Sequence, residues 1–332
     1  MHPLRRTTHR RASRTLTLTM ADEHLTASDA PLSKTVRAGE PLTDPRTKYP
    51  APPFPAQSQS WPGLASQMTP RPDHGETSYT GSGRLAGRKA LITGGDSGMG
   101  RAAAIAYARE GADVAINYYP SEESDAREVI ALIRAEGRTA VALPGDLRDE
   151  AFCRSLVADA VRQLGGLDIL VNNAGRQQAH QSIVDISTES FDATMRTNIY
   201  APFWIIKAAL PHLLPGATII ATTSEQATDP TPDLYDYAMT KAATTNYVRS
   251  LGKQLATRGI RVNGVAPGPI WTPLQVSGGA SPDKLTAFGE GTPLGRPGQP
   301  AELASLYVQL AAADASYATG QVYGASGGAG MP

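Results

Sequence analysis

Residues 89–100 read K-A-L-I-T-G-G-D-S-G-M-G, and this stretch decides the fold. Its first half is a short apolar run of the kind found in buried strands. Its second half carries glycines at positions 94, 95, 98 and 100, and the following R-A-A-A-I-A-Y-A-R-E-G predicts a strong helix. A strand-to-helix turn without side chains lets backbone N–H groups at a helix N-terminus approach a pyrophosphate. The stretch therefore predicts a nucleotide site, with a simple tight turn as the alternative.

The alternation of strand and helix continues through the rest of the chain. Apolar, β-branched runs recur at 113–119, 139–146, 167–175, 217–224, 261–268 and, weakly, near residue 321. Helical stretches lie between them, such as S-D-A-R-E-V-I-A-L-I-R-A-E-G, which ends on a glycine. Such repetition implies a parallel sheet that helices cover on both faces. We predict one α/β catalytic domain over residues 84–332, a Rossmann-type doubly wound sheet of seven parallel strands.

The N-terminal quarter has a different composition. The first twenty residues hold five arginines and no acidic residue, which is typical of an organelle transit peptide and also of a leader that precedes a true start at Met20. We expect a disordered leader over residues 1–30. Residues 31–83 are rich in proline and cannot form a helix or a central strand. We expect an extended arm that lies on the catalytic body or on a neighbouring subunit, with a flexible linker as the alternative.

Composition excludes several classes of function. The net charge is zero, so nothing favours nucleic acid as a partner. No apolar run approaches the roughly 20 residues that span a bilayer, and we expect no membrane association. The single cysteine, Cys153, fits a reducing compartment and a cytoplasmic protein, and its helical context predicts a buried thiol. The six histidines lack metal-ligand spacing, so we predict no metal site.

The ends of the second and third strands indicate the cofactor. A carboxylate that closes the second strand would bind the adenosine ribose 2′-hydroxyl and favour NAD. Here that strand ends in Asn117-Tyr118-Tyr119, with no acidic residue. We therefore favour NADP, with NAD as the alternative and Arg101 as a counter-charge for the 2′-phosphate. Asp146 closes the third strand and either accepts a hydrogen bond from the adenine amino group or caps the next helix.

A serine, a tyrosine and a lysine are spaced for proton transfer. Tyr237 and Lys241 are four residues apart and therefore share one face of a helix. Ser224 ends a strand thirteen residues earlier, at the edge of the sheet where such folds bind ligands. A tyrosine has an unperturbed pKa of about 10, and a neighbouring ammonium should lower that pKa by favouring the anion. Tyr237 can then exchange a proton with a carbonyl or alcohol oxygen that Ser224 holds.

Several separate motifs between about residues 80 and 330 resemble those of the short-chain dehydrogenase/reductase family. Thr93–Gly100 matches the cofactor loop of the family, Asn172–Gly175 the segment that borders the cofactor, and Pro267–Thr272 the loop that contacts the nicotinamide. The sequence M-T-P-R-P-D at 68–73 is similar to a bacterial subgroup with an extended N-terminal arm. Members of that subgroup are described as general-stress or aldehyde-reductase-like oxidoreductases.

The catalytic residues of the family also have counterparts. Ser224, Tyr237 and Lys241 match the catalytic trio, and Asn198 matches the helix asparagine that positions a water for proton relay through the lysine. The resemblance implies that Lys241 also binds the nicotinamide ribose. It further implies a homotetramer, formed by the outer faces of the helix at about 192–214 and of the helix that carries Tyr237. The implied reaction is hydride transfer between a nicotinamide and a carbonyl or alcohol carbon.

The predicted site thus contains three groups of residues. The catalytic group is Asn198, Ser224, Tyr237 and Lys241. The cofactor group is Thr93, Gly94, Asp96, Ser97, Gly98, Met99, Gly100, Arg101, Asn117, Tyr118, Asp146, Leu147, Asn173, Ala174, Gly175, Tyr237, Lys241, Pro267, Gly268, Ile270 and Thr272. The substrate group is Ser224, Gln226 and Trp271. We expect a small aldehyde, ketone or sugar-like substrate. The alternative is a non-catalytic NADP(H)-binding redox sensor, which would not need the serine, tyrosine and lysine.

Overall fold

Seven parallel strands form one sheet in the computed structural model, which describes residues 42–330. The strands are β1 (Lys89–Thr93), β2 (Asp113–Tyr118), β3 (Ala140–Pro144), β4 (Ile169–Asn172), β5 (Thr218–Thr222), β6 (Arg261–Pro267) and β7 (Val322–Ala325). They lie in the order β3-β2-β1-β4-β5-β6-β7, and each pairing is parallel. The chain winds outward from β1 in one direction and from β4 in the other. The predicted doubly wound fold is therefore confirmed.

Helices connect consecutive strands and cover both faces of the sheet. They are α1 (Gly98–Arg109), α2 (Glu123–Ala135), α3 (Glu150–Leu164), α4 (Thr188–Met195), α5 (Ala201–Ala209), α6 (Tyr235–Ala256), α7 (Pro282–Thr286) and α8 (Ala301–Ala311). The single helix predicted at about 192–214 is instead a pair, α4 and α5, joined by the π-helical turn Arg196–Tyr200. None of the helices between residues 42 and 330 is long and apolar enough to cross a membrane.

The core is divided by the sheet into two layers. Side chains alternate along a strand, so Ile92 and Ile116 pack in one layer with α1, α2 and α8. Leu91 and Ala115 pack in the other layer with α3 and α5. Cys153 on α3 lies in that second layer, fully buried, and burial raises the pKa of its thiol to about 12. The predicted buried thiol is therefore confirmed.

The segment 43–80, here called the arm, is irregular apart from the short turn Ala65–Gln67 and lies on the sheet domain. Phe54 is 5% exposed and stacks on Trp271, with the ring centroids 4.3 Å apart. The indole Nε1–H of Trp271 donates to the carbonyl of Pro70 at 2.8 Å, and the backbone N–H of Phe54 donates to Thr286 at 2.8 Å. The predicted leader, residues 1–30, and the first part of the predicted arm lie outside the described residues.

Candidate active site

A cleft opens at the carboxyl ends of β1, β2, β3 and β4, where the order of the sheet reverses. The glycine loop forms its floor. Gly94 and Gly98 have φ values of +61° and +51°, and a Cβ at Gly100 would stand 1.9 Å from the carbonyl oxygen of Gly94. Ser97, the N-cap of α1, makes no side-chain capping bond, so the first N–H groups of α1 are open to an anion. The loop therefore has the shape that a pyrophosphate requires.

Most of the predicted cofactor residues line this cleft. They are Gly94, Asp96, Ser97, Gly98, Met99, Asn117, Tyr118, Asp146, Leu147, Asn173, Ala174, Gly175 and Thr272. Asp146 is bound to Arg148 at 2.6 Å, while Asp149 caps α3, so the capping alternative for Asp146 is wrong. The cleft has the hydrogen-bonding groups that a nicotinamide dinucleotide needs. The glycine loop and the N-terminus of α1 offer backbone N–H groups to phosphates, and polar side chains such as Asn117 and Asn173 line the cleft on either side.

Two predicted cofactor residues, Thr93 and Arg101, bind other protein groups and do not line the cleft. The Thr93 hydroxyl accepts hydrogen bonds from the backbone N–H groups of Asn173 and Ala174, at 3.0 and 3.1 Å, and so ties β1 to the end of β4. Arg101 is 1% exposed and its guanidinium binds Glu76 and Glu128, each at 2.9 Å. Arg101 points away from the cleft, because α1 turns its side chain toward the arm. The prediction that Arg101 neutralises a 2′-phosphate is wrong.

A cluster of carboxyl groups beside the glycine loop was missed as a functional feature. Asp96 and Glu122 both line the cleft, and Asp125 lies behind them. The pKa of Asp96 is raised to about 6, mainly by burial and in smaller part by the charge of Asp125. Burial, followed by the charge of Asp96, also raises the pKa of Glu122. Glu122 therefore keeps its proton near neutral pH and does not place a full negative charge where the adenosine ribose would lie. In the sequence, the acidic pair at 122–123, shortly after β2, could have indicated this cluster.

Ser224, Tyr237 and Lys241 come together at the next part of the sheet edge. Ser224 follows β5, Tyr237 lies in the first turn of α6, and both side chains line the same cavity. Lys241 is one helical turn later, with Nζ 5.3 Å from the centroid of the Tyr237 ring. The Lys241 ammonium donates to the carbonyl oxygen of Thr222 at 2.7 Å. The predicted trio is thus assembled as one contiguous group.

The pKa of the phenol differs from the sequence expectation. The pKa of Tyr237 is raised to about 12, mainly by burial; the Ser224 hydroxyl acts in the opposite direction, and the charge of Glu225 contributes to the rise. Burial also lowers the pKa of Lys241 to about 8. The expected lowering by Lys241 is wrong for this arrangement, because the ammonium is directed at Thr222 and burial of the phenol has the larger effect.

Asn198 lies in the π-helical turn between α4 and α5, inside the protein. Its Oδ1 accepts from the N–H of Arg176 at 2.8 Å, and its Nδ2 donates to the carbonyl of Arg176 at 2.9 Å and to Thr240 Oγ1 at 3.0 Å. A Cβ at Gly175 would lie 3.8 Å from both Asn198 Oδ1 and Lys241 Nζ. The asparagine and the lysine therefore face the same space beside Gly175.

A second cavity adjoins the cleft and lies beside the hydroxyl groups of Ser224 and Tyr237. Ser224, Gln226 and Tyr237 line it together with Pro267, Gly268 and Ile270, all of which were predicted as site residues. Trp271 is fully buried under Phe54 and does not line the cavity, so its prediction as a substrate residue is wrong. Glu225 and Phe288 also line the cavity, and so does Gln177, which the sequence had not indicated. Burial and Asp229 raise the pKa of Glu225 to about 7.

Known proteins that are similar to this chain are named oxidoreductases, dehydrogenases or reductases. A family model described as enoyl-(acyl carrier protein) reductase matches residues 94–330. The uncharacterized oxidoreductase YhxD of Bacillus subtilis is 58% identical over 290 residues, which cover 86% of this chain and 97% of that protein. The glucose and ribitol dehydrogenase of Daucus carota is 42% identical over 83% of this chain and 97% of that protein. The chloroplastic NADPH-dependent aldehyde reductase 1 of Arabidopsis thaliana is 41% identical over 81% of this chain and 95% of that protein.

Solved structures share the sheet domain. A short chain dehydrogenase of Burkholderia cenocepacia, crystallised with NADP, is 36% identical and superposes with a TM-score of 0.69 over 74% of this chain and 98% of its own. A 3-ketoacyl-(acyl-carrier-protein) reductase of Brucella melitensis, crystallised with NADH, is 29% identical, with a TM-score of 0.67 over 74% of this chain and 100% of its own. The chain belongs to the short-chain dehydrogenase/reductase family, a family of oxidoreductases.

Proposed function

We propose that this protein is a nicotinamide-dinucleotide-dependent oxidoreductase that interconverts a small carbonyl compound and the corresponding alcohol, with Tyr237 as general acid/base. The observation that carries this proposal is that Ser224 and Tyr237 line one cavity, which opens beside the cleft of the glycine loop. A carbonyl oxygen bound in this cavity could accept a hydrogen bond from each of the two hydroxyls. The two donors would then converge on one oxygen, which is the geometry that proton transfer requires.

The cofactor proposed for the cleft is NADP, with NAD as the alternative. A nicotinamide dinucleotide supplies or accepts the hydride at its ring. The N-terminus of α1 and the glycine loop would hold its pyrophosphate, and the second strand end, with its tyrosines, would hold the adenosine ribose. The related aldehyde reductase is named for NADPH, and the two solved relatives were crystallised with NADP and with NADH. Protonated Glu122 fits either ribose, because it can donate to a hydroxyl or to a phosphate oxygen.

Proton movement is assigned to four side chains. In the reductive direction Tyr237 gives its proton to the carbonyl oxygen, and Ser224 donates a hydrogen bond that holds this oxygen in place. The buried ammonium of Lys241, with a pKa lowered to about 8, can return a proton toward the phenol near neutral pH. Asn198 faces the same space as Lys241 and is positioned to hold a water between that lysine and solvent. The raised pKa of Tyr237 keeps the phenol protonated at neutral pH, which is the form that donates a proton to a carbonyl oxygen.

The substrate class follows from the walls of the second cavity. Phe288 and Ile270 supply apolar surface, while Gln226, Gln177 and Glu225 supply polar groups. A small molecule with one carbonyl and further hydroxyl groups, such as an aldehyde or a sugar-like compound, fits this mixture. The names of the plant relatives, an aldehyde reductase and a glucose and ribitol dehydrogenase, point to the same class.

A homotetramer in the cytoplasm completes the proposal. Large apolar side chains on the outer faces of α5 and α6 are unusually exposed for a single subunit, with Phe203 59% and Met239 40% exposed. Exposed apolar surface of this kind is typical of contacts between subunits. Measurement of the molar mass in solution by light scattering would test the assembly.

The decisive experiment compares Tyr237→Phe with the matched control Tyr235→Phe. Tyr235 lies on the same helix but is 49% exposed and outside the catalytic cavity. We expect Tyr237→Phe to lower kcat for oxidation of NADPH or NADH against a panel of aldehydes, ketones and sugars by about 10²–10⁴-fold. Tyr235→Phe should retain the wild-type rate. Equal turnover by wild type and Tyr237→Phe would contradict the proposal, and binding of nucleotide without turnover by wild type would favour the sensor.

A further inference from the structure

The arm contributes two residues to the wall of the cofactor cleft. Trp61 and Pro62 line it together with the glycine loop, although they precede the sheet domain in the sequence. The Trp61 ring makes an edge contact with Tyr119, with centroids 5.0 Å apart and planes at 60°. Tyr119 directly follows β2, at the end of the cleft assigned to the adenosine. The arm thus places a large, partly exposed aromatic ring beside the nucleotide half of the cleft.

The opposite side of this part of the arm is attached to the loop that follows β6. The backbone N–H of Gln59 donates to the carbonyl of Val276 at 2.9 Å. Gly63 lies so close to this loop that a Cβ there would be 3.2 Å from the carbonyl oxygen of Pro273. Trp61 therefore stands between two attachments, Tyr119 on one side and the 273–276 loop on the other. Because these two walls belong to opposite sides of the cleft, residues 59–63 cross it.

Two guanidinium groups lie against the same ring. Arg148 and Arg176 are 5.8 and 5.4 Å from the Trp61 centroid. Arg148 is bound to Asp146, but the buried Nε of Arg176 has no hydrogen-bond partner among the described residues. Arg176 follows directly on Gly175, which lines the cleft. The two positive charges therefore lie close behind the wall of the cleft that Trp61 forms, where they favour an anionic ligand such as a phosphate.

The comparisons separate the arm from the shared sheet domain. The match to the Burkholderia dehydrogenase uses 98% of that chain but leaves about a quarter of this one unmatched. That share is the size of residues 1–83 in a chain of 332. The match to the Bacillus relative spans 86% of this chain and 97% of the relative, so it extends into the arm. A compact family member thus forms its cleft without such a segment, while this chain and its relative carry one.

We propose that the arm is a third wall of the nucleotide site, and that Trp61, backed by Arg148 and Arg176, contacts the adenosine and pyrophosphate part of the bound dinucleotide and slows its release. This inference rests on the proposed function, since it needs a dinucleotide in the cleft. Residues 59–63 cover a nucleotide that lies on the glycine loop, so the ligand leaves only when this part of the arm moves. The effect falls on the dissociation rate more than on the association rate.

The test measures nucleotide binding directly and does not depend on turnover. Dissociation rates of NADPH and of NADH are followed by stopped-flow displacement of the fluorescent reduced nucleotide, and Kd values by titration. For Trp61→Ala we expect about tenfold weaker binding, ~1.4 kcal/mol, within the range measured for a lost aromatic–base contact. Most of the change should appear as faster release. Trp61→Phe should stay within about threefold of wild type, because it keeps an aromatic face.

Two controls separate contact with the nucleotide from a general weakening of the arm. Arg46→Ala removes an exposed ion pair of the arm outside the cleft and should leave Kd and release unchanged. Melting temperature without nucleotide reports folding; should Trp61→Ala fail to fold, Trp61→Leu, which keeps an apolar side chain, carries the same expected loss. If Trp61→Ala or Trp61→Leu is folded and has the same dissociation rate and Kd as wild type, this inference is wrong, while the proposed function is unaffected. Absence of nucleotide binding by wild type would instead remove the proposed function.

Discussion

Removal of the Phe54 side chain should release the arm from the sheet domain while leaving that domain folded. Phe54 is 5% exposed, stacks on Trp271 with centroids 4.3 Å apart, and packs in one cluster with Met68, Val276 and Leu285. Its other attachment, a backbone hydrogen bond to Thr286, survives substitution by alanine. The change Phe54→Ala therefore removes an aromatic contact and leaves a cavity above the Trp271 ring.

The magnitude follows from burial. Substitution of a buried phenylalanine by alanine costs about 3–5 kcal/mol. We use the lower value at Phe54, because the arm lies on the surface of the domain and can settle partly into the space. A loss of about 3 kcal/mol in docking free energy raises the population of undocked arm by about 100-fold, at ~1.4 kcal/mol per factor of ten. The unfolding free energy of the sheet domain should change much less, since its two core layers do not contain Phe54.

Limited proteolysis with thermolysin, which cuts before large apolar residues, measures this population. At low protease concentration the cleavage rate follows the equilibrium fraction of open arm, so cleavage before Leu64 or Met68 should accelerate about 100-fold in Phe54→Ala. Tyr317→Ala, which removes a fully exposed ring from the surface (102% exposed), is the control and should match wild type. Equal cleavage rates for Phe54→Ala and wild type would refute the assignment of Phe54 as the anchor.

Three further predictions concern the sheet domain. Burial raises the folded-state pKa of Glu225 to about 7, so the contribution of its protonated form to stability is present below about pH 4.5 and is lost as pH rises to about 7. The free energy of unfolding of Glu225→Gln should therefore increase by about 1 kcal/mol relative to wild type across this window. This value is reduced because the side chain is partly exposed. Gly100→Ala forces a Cβ to 1.9 Å from a carbonyl oxygen and should abolish nucleotide binding and cost about 1–3 kcal/mol, whereas Gly291→Ala has open space and should change neither. Asn198→Ala leaves the buried N–H of Arg176 without its acceptor and should cost about 1–3 kcal/mol. Urea unfolding at a series of pH values measures all three stabilities, and titration with NADPH measures binding.

Each of these has an outcome that contradicts it. A constant difference between Glu225→Gln and wild type from pH 4 to pH 8 would show that Glu225 titrates normally. Wild-type nucleotide affinity in Gly100→Ala would mean that the loop relaxes around the added methyl group. Unchanged stability of Asn198→Ala would indicate that water replaces the lost amide.

Residues whose role depends on local spacing were predictable. The i, i+4 relation of Tyr237 and Lys241 and the position of Ser224 after a strand survive folding unchanged, because helix and strand geometry determine both. The seven strands were located within a few residues for the same reason. The position of the cleft also followed, since parallel strands bring their carboxyl ends to one edge.

Residues whose role depends on neighbours distant in the sequence could not be predicted. Trp271 lies in the loop after β6, beside the cavity, yet Phe54 from the arm covers it. Arg101 follows the glycine loop, yet its two acidic partners come from the arm and from α2. The pKa of Tyr237 rises because burial outweighs the nearby cation, and burial is a property of the whole packed cavity.

The sequence by itself determined the doubly wound sheet, the glycine loop at its first turn and the serine, tyrosine and lysine that meet beside it, since alternation, helical periodicity and side-chain-free turns are local properties. Only the tertiary structure decided where the arm lies, that Trp61 stands over the cleft and that Trp271 does not face a substrate. The physical reason is that proline excludes regular structure from the arm but does not specify which surface its aromatic side chains bury. That choice belongs to the shape and packing of the completed domain.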